Sequence, residues 1–135
     1  MDPEPSQALS ANQTIELITQ KLEAANLHYG HGAIDAQSEA LWIVSKQLGL
    51  SPADALDHLD QILTSEQHQQ ALAVADERIT SRKPLAYILG EAWLMGVPFF
   101  CSEQSIVPRS WIAELIVDGS LEPWLPADGK VLDLC

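Results

Sequence analysis

Between Ser10 and Ala25 the apolar positions Ile15, Ile18, Leu22 and Ala25 recur every three to four residues, the spacing that lines one face of a helix. Ser10 followed by Gln13 is a capping-box signature, and the helix fades at Asn26. Leu27 to Ile34 reads LHYGHGAI, where two glycines and two histidines break the pattern and predict a loop. Asp35 caps a second helix carrying Leu41, Val44 and Leu48, widened by Trp42 and Ile43, with Gly49 as its C-terminal stop. Ser51-Pro52 restarts a helix, serine as cap and proline in the first turn. There Leu56 and Leu59 are expected to face inward, with Asp54, Asp57 and Asp60 outside. Thr64 with Gln67 opens a longer helix through Leu72, Ala75 and Ile79. It ends near Arg82, because Pro84 disfavours helical geometry at Lys83.

From Ala92 the texture changes. AWLM and VPFFC are extended segments rich in bulky residues, SEQ supplies a polar turn and SIVP returns, which predicts a β-hairpin. Ser110 caps a helix through Ile112, Leu115 and Ile116, closed by Gly119. Pro123, Pro126 and Gly129 mark a linker around Trp124, and VLDLC is a short apolar run of the buried-strand type. The fold class is mainly α. A flexible tail over residues 1–11 precedes a helical bundle over 12–90, then a hairpin over 91–109, then a segment over 110–135 that opens a further domain.

Length and composition narrow the function. The 135 residues are enough for one domain, and 47% apolar content supplies a core. Seven basic against nineteen acidic residues give a net charge of −12, a poor match to a phosphate backbone, so no direct nucleic-acid binding is expected. The charge is uneven: residues 1–70 carry ten acids and only Lys21 and Lys46. Such a half is either a soluble acidic surface or one that attracts a basic protein partner. Cys101 and Cys135 are the only cysteines and lie far apart, which suits a reducing cytosol better than a disulfide scaffold or zinc site. His28 and His31 lack a third ligand at metal-binding spacing, leaving their loop as an interhelical turn or a partner contact. The acidic, proline-containing start is unlike a signal peptide, and no apolar run approaches the ~18–20 residues of a membrane helix. A cytoplasmic location is expected.

Two features then meet. VLDLC, an apolar run with an acid near its end, follows the PR-x-x-x-x-E segment Pro108–Glu114 by one helix and a loop. This arrangement resembles the protein-glutamine N5-methyltransferases, whose catalytic domain is a Rossmann-like S-adenosylmethionine fold. In that family Arg82-Lys83-Pro84-Leu85-Ala86-Tyr87 corresponds to the join between a helical N-terminal domain and a hairpin. Ile106-Val107-Pro108-Arg109 corresponds to a segment lying against the cofactor, and VLDLC is similar to the first catalytic strand. The fold so implied is an N-terminal helical bundle, a hairpin and the first strand of a truncated Rossmann-like methyltransferase domain. Tyr29-Gly30-His31-Gly32, Ala92-Trp93 and Pro108-Arg109-Ser110 look like the branch that methylates ribosomal protein L-three; a release-factor branch commonly has Thr-Glu where this chain has Ala113-Glu114. The family's Asn-Pro-Pro-Tyr motif and glycine loop do not occur in these 135 residues, so the chain alone is expected to be inactive.

The resemblance implies roles for particular residues. Ile106, Pro108 and Arg109 form a wall of the cofactor pocket or an ordinary hairpin edge, and Glu114 orients Arg109 or begins a solvated helix face. Asp133 matches the family acid that holds the cofactor's methionine amino group. Tyr29, His31 and Phe100 are candidates for docking the protein substrate, and the helical domain is its recognition module. Phe99 and Phe100 point to opposite faces if extended, one into the core and one towards a partner. Arg82 and Tyr87 are read as fixing the domain junction, and Trp42 as core. His58 and His68 read as surface residues. A free-standing helical interaction module is the reading from another class.

Overall fold

A computed structural model describes residues 8–132 and residue 134. Helices α1 (Ala11–Ala24), α2 (Ala36–Leu48) and α4 (Ser65–Ser81) form the bundle, with the one-turn α3 (Pro52–Ala55) and a 3₁₀ turn (Leu56–His58) between the last two. Every N-terminus carries the cap its sequence announces. Ser10 and Thr64 make full capping boxes with Gln13 and Gln67, Asp35 accepts from Ser38 N–H, and Ser51 accepts from Asp54 N–H. Gly49 closes α2 in the left-handed conformation.

The core is built by Ile15, Ile18 and Leu22 of α1 against Ala40, Ile43 and Val44 of α2, with Ala71 and Ala75 of α4 closing it. Helix α2 lies in the middle, touching α1, α3 and α4, and is buried over most of its circumference. Its inward stripe is rotated from the one expected. Ala36, Ala40 and Ile43 with Val44 are interior, whereas Leu41 and Leu48 are only partly buried at its edges. Trp42 is core, as its pattern implies. Leu56 is a second correction: it is 54% exposed, because α3 is one turn long and tightens to 3₁₀ geometry, which swings this leucine outward.

The tail expected through residue 11 stops short. Ala11 N–H donates to Gln61 O at 2.8 Å, Leu63 N–H donates to Leu9 O at 3.0 Å, and Ser10 bridges Ile62 in antiparallel fashion. These bonds bring the start of α1 against the entry to α4. At the other end of α4, Arg82 takes a left-handed conformation (φ 61°) as its C-cap. Its Nη1 donates to Ala25 O at 2.9 Å and Asn26 O at 3.2 Å, tying together the C-terminal ends of α1 and α4.

After Pro84 the chain forms a further helix, α5 (Leu85–Leu89), which Leu85 and Ala86 bury against the bundle. Strands β1 (Glu91–Leu94) and β2 (Val97–Phe100) then pair antiparallel, with Glu91 opposite Phe100 and Leu94 opposite Val97. The hairpin turn is Met95-Gly96, both at positive φ, and not the SEQ triplet. Two residues at positive φ suit the twist of a tight hairpin. Ser105 to Pro108 therefore does not return as a strand: it runs irregularly over the bundle, and Val107 is buried. Both phenylalanines are exposed, Phe99 at 42% and Phe100 at 85%, so neither is a core residue of this chain.

Helix α6 (Trp111–Val117) follows, capped by Ser110, and then a 3₁₀ turn at Glu122–Trp124. Trp111, Ile112, Ile116 and Val117 are all more than 60% exposed. Val131 and Leu132, expected in a strand, are exposed and have no paired strand among the described residues; a strand needs one for its ladder. Asp133 and Cys135 lie outside the described residues. No helix among the described residues is long and apolar enough to cross a membrane.

Candidate functional site

The most constrained part of the molecule is a buried ion pair under the glycine loop. Glu39 on α2 and Arg78 on α4 are 5% and 3% exposed at their side chains. Arg78 Nε donates to Glu39 Oε2 at 2.9 Å, and its Nη2 donates to Glu39 Oε1 at 3.1 Å, a fork-to-fork pair. The same Nη2 donates to the His28 carbonyl at 2.8 Å. The Tyr29 ring lies beside the guanidinium, 6.0 Å from carbon to ring centre, at the outer limit of a cation–π contact. One arginine therefore joins two helices and the first residues of the loop.

Burial pushes the Glu39 carboxyl above its ordinary value, by more than the bonds and charge of Arg78 pull it down. The Tyr29 phenol is raised for the same reason, burial first and the charge of Glu39 second. Its hydroxyl is buried without a partner among the described residues. Tyr29 thus faces inward, onto Arg78, and does not line the groove described next.

The loop continues through Gly30 and Gly32, both at positive φ (117° and 98°). Gly30 N–H donates to Ala33 O at 2.8 Å. A Cβ on Gly32 would stand 3.3 Å from the Trp42 ring and 3.8 Å from Val107, so only glycine lets the loop lie between helix and hairpin exit. From the opposite side, the Tyr87 hydroxyl of α5 donates to Ser105 O at 2.9 Å, holding the next residues in place.

Between these two walls is a groove of about 130 Å³, lined by Gly30, His31 and Gly32 on one side and Ile106, Pro108 and Arg109 on the other, with Tyr87 at its edge. The fold therefore brings together four of the residues singled out from sequence: His31, Ile106, Pro108 and Arg109. His31 lies 75 or more positions from the other three in the chain. The groove is smaller than the ~300–1,000 Å³ of pockets that bury a whole small molecule. Apolar Ile106 and Pro108 beside the Arg109 guanidinium suit a ligand with an apolar body and a carboxylate.

Other candidates fall elsewhere. Glu114 is exposed on α6 and makes no ion pair with Arg109 among the described residues; Phe100 stands on β2, away from the groove. Asp133 is outside the described residues. Arg82 donates to the Ala25 and Asn26 carbonyls within the bundle, and Tyr87 to the Ser105 carbonyl beyond the hairpin. His68 is half-buried, its Nδ1 3.1 Å from the Thr14 hydroxyl, and His58 is exposed. Glu39 and Arg78 were missed; the available signals were an acid and an arginine set on otherwise apolar helix faces. No group of three or more His, Cys, Asp or Glu among the described residues is placed to hold a metal.

Comparison with known proteins gives this arrangement a context. The chain is similar over its whole length to the ribosomal protein uL3 glutamine methyltransferase of Burkholderia pseudomallei, at 37% identity, covering 45% of that protein. Over 90% of its length it is 41% identical to the enzyme of the same name from Bordetella pertussis, covering 41% of it. A Xylella fastidiosa relative of that name is 35% identical over 97% of the chain and 43% of its own length. The chain thus spans less than half the length of these curated relatives. The family model of the PrmC N-terminal domain matches residues 13–90, the bundle together with α5. That match takes in more than half of the 135 residues and includes both partners of the buried ion pair, and the chain belongs to the PrmC N-terminal domain family.

Proposed function

We propose that this chain is the substrate-docking part of an S-adenosylmethionine-dependent methyltransferase that modifies the N5 amide of a glutamine in ribosomal protein L-three, in the cytoplasm. The observation that supports this reading is the groove in which the glycine loop of the helical domain meets Ile106, Pro108 and Arg109. The printed names of the relatives point to the same activity and substrate.

The chemistry explains why a docking domain is needed. A glutamine amide nitrogen is a weak nucleophile, since its lone pair is delocalised into the carbonyl. Catalysis must hold it in line with the methyl group and place acceptors near its N–H protons, which is positioning and electrostatics. S-adenosylmethionine supplies the activated methyl on its sulfonium. This chain's share is one wall: Arg109 for a carboxylate, Ile106 and Pro108 for an apolar surface, and Asp133 for an amino group. Glu114 stands in the first turn of α6, the helix that follows.

The test is methyl transfer from labelled S-adenosylmethionine to purified ribosomal protein L-three, with a release factor as comparison. It uses this chain joined to the remaining portion of the Burkholderia pseudomallei relative. Methylated glutamine in L-three alone is expected. Methylation of the release factor alone overturns the substrate assignment.

A further inference from the structure

We infer that the cleft where α1, α2 and the Leu56–Leu59 turn meet docks a basic polypeptide segment that inserts one apolar side chain, an inference that rests on the substrate-docking reading and locates it. The cleft holds about 190 Å³ and is floored by Ile15, Leu41, Leu56 and Leu59. An apolar cavity of about 150 Å³ takes up benzene, so there is room for one medium-sized apolar side chain. A second cavity of about 210 Å³ shares Ser38 and Leu41 with it and continues past Pro52 to Trp42 and Trp93. Neither indole N–H has a partner among the described residues, although both are buried.

The rim selects the charge of the occupant. Asp35 lines the first cavity, and its carboxyl is held below the usual range by the hydrogen bonds from Ser38, so it stays charged. Asp35 is the acid in the lining; Glu16, Asp57 and Asp60 are chain neighbours of the lining residues Ile15, Leu56 and Leu59. None of the four is in an ion pair among the described residues. Lys21 and Lys46, the only bases in residues 1–70, are paired with Asp76 and Glu91. An apolar floor beside the unpaired Asp35, in a half of the chain rich in acids whose two lysines are already paired, fits a segment with one leucine-like side chain between lysines or arginines. Leu56 is the exposed anchor, and its outward swing is what the short α3 achieves.

The experiment is an NMR titration of the labelled chain with the peptide acetyl-Lys-Arg-Leu-Arg-Lys-amide, beside calorimetry with intact ribosomal protein L-three. Shifts are expected at Ser38–Leu41 and Leu56–Leu59, weakened by added salt and reduced about tenfold in affinity when serine replaces the peptide's leucine. Leu56→Ser and Asp57→Lys/Asp60→Lys should each weaken L-three about tenfold, while Glu66→Lys/Glu77→Lys on α4 leaves it unchanged. L-three binding that the cleft variants leave untouched, or that the α4 variant weakens equally, overturns this site and leaves the docking reading standing. Peptide shifts in the cleft without any L-three binding overturn the docking reading and keep the site. Peptide shifts confined to α4 or the hairpin, or none, overturn the site outright.

Discussion

Replacing Arg78 by Met tests how much the glycine loop and the two helices depend on one guanidinium. Methionine matches much of the arginine stem, so the main loss is the fork to Glu39 and the bond to the His28 carbonyl. Glu39 is then a buried carboxylate with no cation. It either stays charged, at a cost of about 3–5 kcal/mol for a broken buried pair, or takes up a proton. Protonating a carboxyl of ordinary value ~4.3 at pH 7 costs about 3.7 kcal/mol, which caps the charge part of the loss. We expect a loss of about 3–4 kcal/mol at pH 7, large against the ~5–15 kcal/mol stability of a domain. At pH 5 the same cap falls to about 1 kcal/mol, so the penalty shrinks on acidification. Urea unfolding followed by far-UV circular dichroism at the two pH values measures both. A loss below about 1 kcal/mol at pH 7, or one that does not change with pH, refutes the reasoning.

Four further outcomes follow from the structure. The double variant Glu39→Leu/Arg78→Met removes both charges and should recover more than half of the loss at pH 7, since an apolar replacement of a buried pair is often near neutral. In the wild type the raised Glu39 carboxyl means the folded chain binds that proton more tightly than the unfolded chain. Its contribution is therefore full below about pH 4.3 and is lost as pH rises through the folded value, so stability relative to the double variant should fall over that window; a rise contradicts the assigned direction. Gly32→Val should cost about 1–3 kcal/mol from the left-handed backbone alone, with Trp42 fluorescence reporting the displaced loop, whereas an unchanged melting curve contradicts the close approach. Thr64→Ala should cost about 1 kcal/mol by removing one side of a capping box, checked by the same urea curves.

The caps were the most legible part of the sequence. Ser10, Asp35, Ser51, Thr64 and Ser110 all start the helices they announce, because a cap is decided by a few neighbouring atoms. Facing was less legible. Leu41 and Leu48 look like the core stripe of α2, yet alanines 36 and 40 take it, since close approach of helices rewards small residues and a central helix has several neighbours. Arg78 was invisible as a core residue because a single charged position in a helix normally reads as solvated; only its distant partner Glu39 makes burial affordable. The hairpin turn was misplaced because Met95 is a poor match for positive φ, while the polar triplet Ser102-Glu103-Gln104 looks like a turn. The groove was half legible. Its IVPR wall came through the family resemblance, but nothing local in the chain places His31 opposite Arg109.

The central claim is that the helical domain reads the protein substrate, and calorimetry of the 135-residue chain with ribosomal protein L-three tests it most directly. The measurement is made at low and high salt, with a release factor as control. The account predicts binding to L-three alone, weakened by salt because an acidic surface meets a basic partner. Equal binding to both proteins, or binding to neither, would contradict it.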